Sequence, residues 1–335
     1  MRTVVELEER LARPGEGLIA DMARLDGDIM ILGAGGKLGP SLVRLALNAT
    51  KGDRRIVAVS RFSEPGLADA LTAEGATVVS ADVADEQALR GLPDVENVVF
   101  LVGAKFGTQG AEHATWFTNS YLPGRVADRF RDSRIAALST GNVYPLVPVT
   151  SAGATEETPT DPVGEYAMSC LGRERVMSHF SAKYGTRLAL IRLNYAVELR
   201  YGVLVDLAQK VNAGEPVDLS TGMANVVWQG YANEVTLRSL LHASAPPFVL
   251  NLTGPELISV RQAAIDLGRA LGKQPSFVGE EAPTALLSNA ARCHRLFGYP
   301  ELTPAELIEL TAAWIAEGGA LLGKPTKFER RDGRF

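Results

Sequence analysis

Cysteine is nearly missing from this chain, with only Cys170 and Cys293 among 335 residues. Two cysteines make no disulfide framework and lack the paired spacing of a zinc site, so a reducing compartment is the expected setting. Long apolar runs are missing as well. No stretch reaches the roughly 18 apolar residues that span a membrane, and Glu6, Glu8, Glu9, Asp21, Asp26 and Asp28 break up any signal-like segment near the start. Nor is there a positive excess: 34 Lys and Arg face 39 Asp and Glu, a net charge of −5, which argues against affinity built on a nucleic-acid backbone. His113, His179, His242 and His294 do not pair with acidic or cysteine residues at metal-ligand spacing. These absences leave a globular, cytoplasmic protein acting on a small molecule, with no metal, membrane or nucleic-acid partner expected.

What is present is a 46% apolar chain with 33 glycines, enough to bury a large core. Short apolar runs fit strands at Ile29–Leu32, Ile56–Val59, Thr77–Val79, Val98–Val102, Ile135–Leu138, Leu188–Leu193 and Phe248–Leu252, with helical stretches between most of them. That alternation predicts an α/β fold with a doubly wound parallel sheet of the Rossmann kind. Residues 1–28 read as a helical extension, 29–195 as the dinucleotide-binding domain and 196–335 as a smaller mixed α/β substrate lobe, whose strand near 248–252 returns to the main sheet. The tail from Lys324 to Phe335 mixes Lys and Arg with Glu329 and Asp332 and reads as a frayed, solvated end.

Between the first strand and its helix, Gly33, Gly36 and Gly39 stand three residues apart. With Gly35, Lys37 and Leu38 they form a loop that can turn tightly and bring amide N–H groups to a pyrophosphate at a helix N-terminus. The next strand ends in Ser60-Arg61, where a carboxylate would be expected for a free ribose 2′-hydroxyl. The Arg61 fork suits a 2′-phosphate, favouring NADP(H), with NAD(H) as the other form. Asp82, followed by Val83, could accept from the adenine amino group or simply cap the next helix.

The loop Gly33–Gly39, Asp82-Val83, Val102-Gly103-Ala104-Lys105, Asn119, Ser139-Thr140 with Val143-Tyr144, Tyr166 and Arg192-Leu193-Asn194 follow one another in an order and spacing that resembles the extended short-chain dehydrogenase/reductase family, in its NAD(P)-dependent epimerase/dehydratase branch. The likeness runs from about residue 29 to 318, including Ser288-Asn289-Ala290 and Leu296–Pro300. It implies an oxidoreductase or epimerase acting on a sugar-like hydroxyl or ketone. Tyr166 would be the general acid/base, Thr140 the hydroxyl on the substrate oxygen and Asn119 a residue ordering a proton relay. Val102, Gly103, Ala104, Lys105, Ser139, Cys170 and Asn194 would join the glycine loop around the cofactor. Asn142, Arg192, Asn194 and Trp228 are candidates for the substrate; Arg200, Tyr201, Gln229 and Tyr231 could line a sugar site or pack in the lobe's core. Homodimerisation through the helices around Asn119 and after Tyr166 is also implied.

One departure stands out. The family pattern is Tyr-x-x-x-Lys, and here Cys170 occupies the lysine position. A thiol with a reference pKa near 8.5 is mostly neutral at pH 7. Losing a unit charge some 5 Å away forfeits on the order of 3 kcal/mol of phenolate stabilisation at an effective dielectric near 20. The enzyme would then suit the reductive direction, with a neutral phenol donating a proton, and Lys105 is the candidate replacement cation. The competing expectation is a redox-inactive NAD(P)-binding sensor or scaffold on the same fold.

Overall fold

The computed structural model describes residues 1–105, 110–324 and 326–334. Seven short strands build its centre: β1 Ile29–Leu32, β2 Ile56–Ser60, β3 Thr77–Ser80, β4 Asn97–Phe100, β5 Arg134–Thr140, β6 Arg187–Leu193 and β7 Phe248–Leu252. They pair in parallel in the order β7-β6-β5-β4-β1-β2-β3. The β1 and β4 strands are buried at every position, as strands covered on both faces must be. Successive side chains alternate between two cores: Ile29 and Ile31 point into one, Met30 and Leu32 into the other. The order reverses between β4 and β1, and a crevice opens there beyond the carboxyl ends of the strands.

Helices cover both faces: α1 Val4–Leu11, α2 Glu16–Arg24, α3 Gly39–Thr50, α4 Leu67–Ala73, α5 Glu86–Arg90, α6 Glu112–Trp116, α7 Leu122–Arg129, α8 Gly164–Tyr184, α9 Val203–Ala213, α10 Gln229–Arg238, α11 Val260–Leu271, α12 Ala291–Phe297 and α13 Pro304–Ala316. A π-helical turn, Phe117–Tyr121, joins α6 to α7. The extension is part of the fold. Leu7, Leu11, Leu18 and Met22 of α1 and α2 are buried in the same core as Leu204, Val235 and Leu267 of the lobe. Ion pairs fasten its polar side: Glu8 with Arg44 and Arg200, Arg10 with Glu301, and Asp21 with Arg238.

The tail corrects the sequence reading. Thr326 and Phe328 are buried. The Asp206 carboxylate on α9 accepts from the Thr326 backbone N–H at 2.7 Å and from its hydroxyl at 2.5 Å. Further on, Thr221 donates to the Glu329 carbonyl and Arg331 donates to the Thr284 carbonyl and hydroxyl. Its charged residues frame a strap held by polar bonds at three places, with an apolar anchor beneath, which composition alone read as a solvated end.

Candidate active site

The glycine loop leaves β1 through Gly33 at φ +93°, a conformation that favours glycine. A Cβ on Gly39 would stand 2.3 Å from the Ala34 carbonyl oxygen, and one on Gly35 would stand 2.7 Å from Ser60 Oγ. The loop is therefore compact, and α3 opens directly behind it. Gly33, Gly35 and Gly36 line one side of a trough of about 340 Å3, closed by Ser60, Arg61, Asp82, Val83, Val102 and Gly103. A Cβ on Gly36 would meet only the Gly33 carbonyl and otherwise enter open space. This bare backbone at a helix N-terminus fits a dinucleotide pyrophosphate. Arg61 is exposed at the trough rim, 4.0 Å from the Asp82 carboxylate.

The next two loop residues, Lys37 and Leu38, face a second cavity of about 210 Å3. Lys105, Ser139, Thr140, Asn142, Tyr166, Asn194, Tyr195, Tyr201, Gln229 and the strap's Thr326 share its walls. Thr140 ends β5 and Tyr166 sits in the first turn of α8. A hydrogen bond from Thr140 favours the Tyr166 phenolate, but burial and the neighbouring Cys170 outweigh it and push the phenol well above its ordinary range. Tyr166 is thus a neutral donor at pH 7. Burial also lowers Lys37 to about 7 and Lys105 to about 8. Lys37 Nζ lies 3.2 Å from the centre of the Tyr201 ring, and Lys105 Nζ donates to the Thr326 carbonyl at 3.3 Å. Tyr195 holds a left-handed backbone, φ +46°, of the kind that clusters at functional sites.

Several candidates stand elsewhere. Arg192 does not line the cavity: it is buried in an ion pair with Glu174 at 2.7 Å and donates to Tyr144 Oη at 2.6 Å. Trp228 is fully buried in the core, and Arg200 is committed to Glu8 and Glu198. Tyr231 donates to the Gly298 carbonyl. Cys170 is buried behind Tyr166 and reaches neither trough nor cavity. Asn119 is fully buried, accepting from the Ala104 N–H and donating to the Ala104 carbonyl and Ser169 Oγ. Through these bonds it ties the loop after β4 to α8. The sequence reading missed Tyr195, Thr326 and Arg173. Strain at Tyr195 and the strap's course arise only from tertiary packing; Arg173 had a local signal in its position seven residues after Tyr166, two helical turns on the same face.

Among the described residues, no cluster of three His, Cys, Asp or Glu could hold a metal, and no helix is long and apolar enough to cross a membrane. The fold is similar to that of a UDP-galactose 4-epimerase at 20% identity, covering 87% of this chain and 99% of that one with a TM-score of 0.69. A Thermus thermophilus UDP-glucose 4-epimerase solved with NAD matches at 19% identity, 88% and 100% coverage and a TM-score of 0.69. The Bordetella bronchiseptica enzyme WbmG, solved with NAD and UDP, matches at 16% identity, 90% and 99% coverage and a TM-score of 0.72. No curated protein matches the sequence. Residues 29–228, from β1 through the glycine loop, Thr140 and Tyr166 to the start of the lobe, fit the profile of the NAD dependent epimerase/dehydratase family, and the chain belongs to that family.

Proposed function

We propose that the protein is an NAD(P)-dependent oxidoreductase or epimerase acting on a hydroxyl or ketone of a sugar or sugar-derived substrate. The observation that carries this is the meeting of Tyr166 and Thr140 in a cavity whose wall, at Lys37 and Leu38, continues the glycine loop that lines the trough. A dinucleotide would lie along Gly33–Leu38, with Ser60, Arg61, Asp82 and Val83 at its adenosine end and Val102, Gly103, Lys105 and Ser139 toward the cavity. When bound it supplies the hydride donor or acceptor. Thr140 orients the substrate oxygen, and Tyr166, held protonated, delivers its proton to that oxygen as a general acid. Asn142, Asn194, Tyr195, Tyr201 and Gln229 offer amide edges and aromatic faces to a hydroxylated ring. Lys105 keeps a cation at the wall shared with the strap.

Asn142 and Tyr195 also line an adjoining pocket bounded by Phe328, Arg330 and Arg331. That basic annex supports a substrate with an anionic arm, as in the UDP-sugars named for the neighbouring structures. Arg61 supports NADP(H), although Asp82 offsets part of its charge and NAD(H) is the rival form. Exposed Trp116, Phe117, Tyr121 and Met168 on α6, the π-helical turn and α8 support a homodimer through these helices. A second reading, a cofactor-binding sensor without turnover, draws on Cys170 beside a phenol held neutral.

One experiment separates the readings: affinities for NADP(H) and NAD(H) by calorimetry, then hydride transfer on a panel of free and UDP-linked sugars. The expected outcome is that Tyr166→Phe cuts kcat by at least about a hundredfold with cofactor affinity kept. Tight cofactor binding with no turnover in either form would favour the sensor. Equal preference in wild type and Arg61→Ala would remove the NADP(H) assignment.

A further inference from the structure

We infer that Arg173 is the buried cation that acts on Tyr166, standing in from the next helical turn for the positive charge that Cys170 does not provide. This rests on the reading of Tyr166 as the proton-transfer residue. Tyr166, Cys170 and Arg173 share one face of α8, and a long side chain on a helix points back toward its N-terminus. The Arg173 guanidinium accordingly turns toward Asn119 and the β5 carbonyl of Leu138. Nε donates to the Asn119 carbonyl at 3.3 Å, Nη2 to Asn119 Oδ1 at 3.1 Å and Nη1 to the Leu138 carbonyl at 2.5 Å. It also lies over the Phe100 ring.

Every one of those acceptors is neutral. Among the described residues, no carboxylate lies within ion-pair distance of Arg173, and the adjacent acid, Glu174, is committed to Arg192 and Ser139. A guanidinium only 5% exposed with its charge uncancelled is costly to fold around. The cost has a return if negative charge develops beside it in the reaction. Gly103 makes the room: a Cβ there would stand 2.9 Å from Arg173 Nη2. The charge reaches both neighbours, drawing the Tyr166 phenol and the Cys170 thiol downward against the rise that burial imposes. Lys105 also draws the Cys170 thiol downward, but less than Arg173 does. Arg173 is a positioning residue, acting on the phenol without touching substrate.

The test reads the phenol directly in the cofactor-free protein. A heavily ring-fluorinated tyrosine at position 166, whose phenol ionises several units below tyrosine's and so comes back within the range the folded protein tolerates, is titrated by 19F NMR. Arg173→Gln is expected to raise its ionisation by about one to two pH units, the loss of one charge at an effective dielectric near 20. Arg173→Lys should raise it less, and Cys170→Lys added to Arg173→Gln should return it to the starting value. A folded Arg173→Gln protein titrating where the parent does would overturn the inference. If Arg173→Gln does not fold, Cys170→Lys alone decides. With Arg173 already supplying the charge, the added lysine should shift the phenol by well under one unit; a drop of about two units would show that the cationic place is vacant and the inference wrong. Absence of turnover in the parent would sink the proposed function and leave this titration standing.

Discussion

Lys37 and Lys105 bring two ammonium groups to one cavity, and burial sets them near 7 and 8 instead of 10.5. The sign of the consequence is fixed. A bound anion favours the charged lysine and raises its pKa toward the ordinary value, so binding takes up a proton and weakens as pH rises above the free value. Affinity for UDP as a probe, measured by calorimetry from pH 6 to 9, should fall through the window of about 7 to 8, and Lys37→Met should flatten its lower part. An affinity constant across that range would detach these lysines from ligand binding. Cys170 shows how little one residue type reveals alone: on the inference above its meaning turns on Arg173, whose spacing puts it on the face of Tyr166 but whose neutral surroundings appear only once α8 packs on β5 and β6.

At the scale of elements, the strap is the most testable. Asp206 holds Thr326 by two short bonds in a half-buried setting, so Asp206→Ala should release it. Limited trypsin digestion should then cut at Lys327, Arg330 or Arg331 at least several times faster, with the rest of the chain as resistant as before; an unchanged rate would mean that the anchor lies elsewhere. The strap also marks where sequence legibility stopped. Strands such as Ile29–Leu32 could be read because buried parallel strands need unbroken apolar residues, and the glycine loop because its constraints are local. Tyr166 and Thr140, paired by resemblance, do share the wall of one cavity. Arg192 and Trp228, read as substrate candidates, stand buried off the cavity, because residue type does not say which side of a strand end faces the cleft. Thr326 and Phe328 were lost because their burial depends on α9, more than a hundred residues earlier.

For the whole molecule, α1 and α2 share one continuous apolar core with β1, α3 and the lobe helices, so the extension should not melt apart from the rest. Leu11, fully buried, should cost about 2–5 kcal/mol when cut to alanine. That loss should appear as one transition moved to lower denaturant, seen alike by circular dichroism and tryptophan fluorescence. An early, separate phase in Leu11→Ala would show the extension unfolding independently. The strap carries a different consequence, one of timing. Because Thr326 forms part of the cavity wall, any lifting of the strap would open that wall, and the exchange of a bound molecule would then be timed by the strap as well as by fit. Strengthening the stitches would slow arrival and departure by the same factor, leaving affinity where it was while lengthening the residence of each occupant.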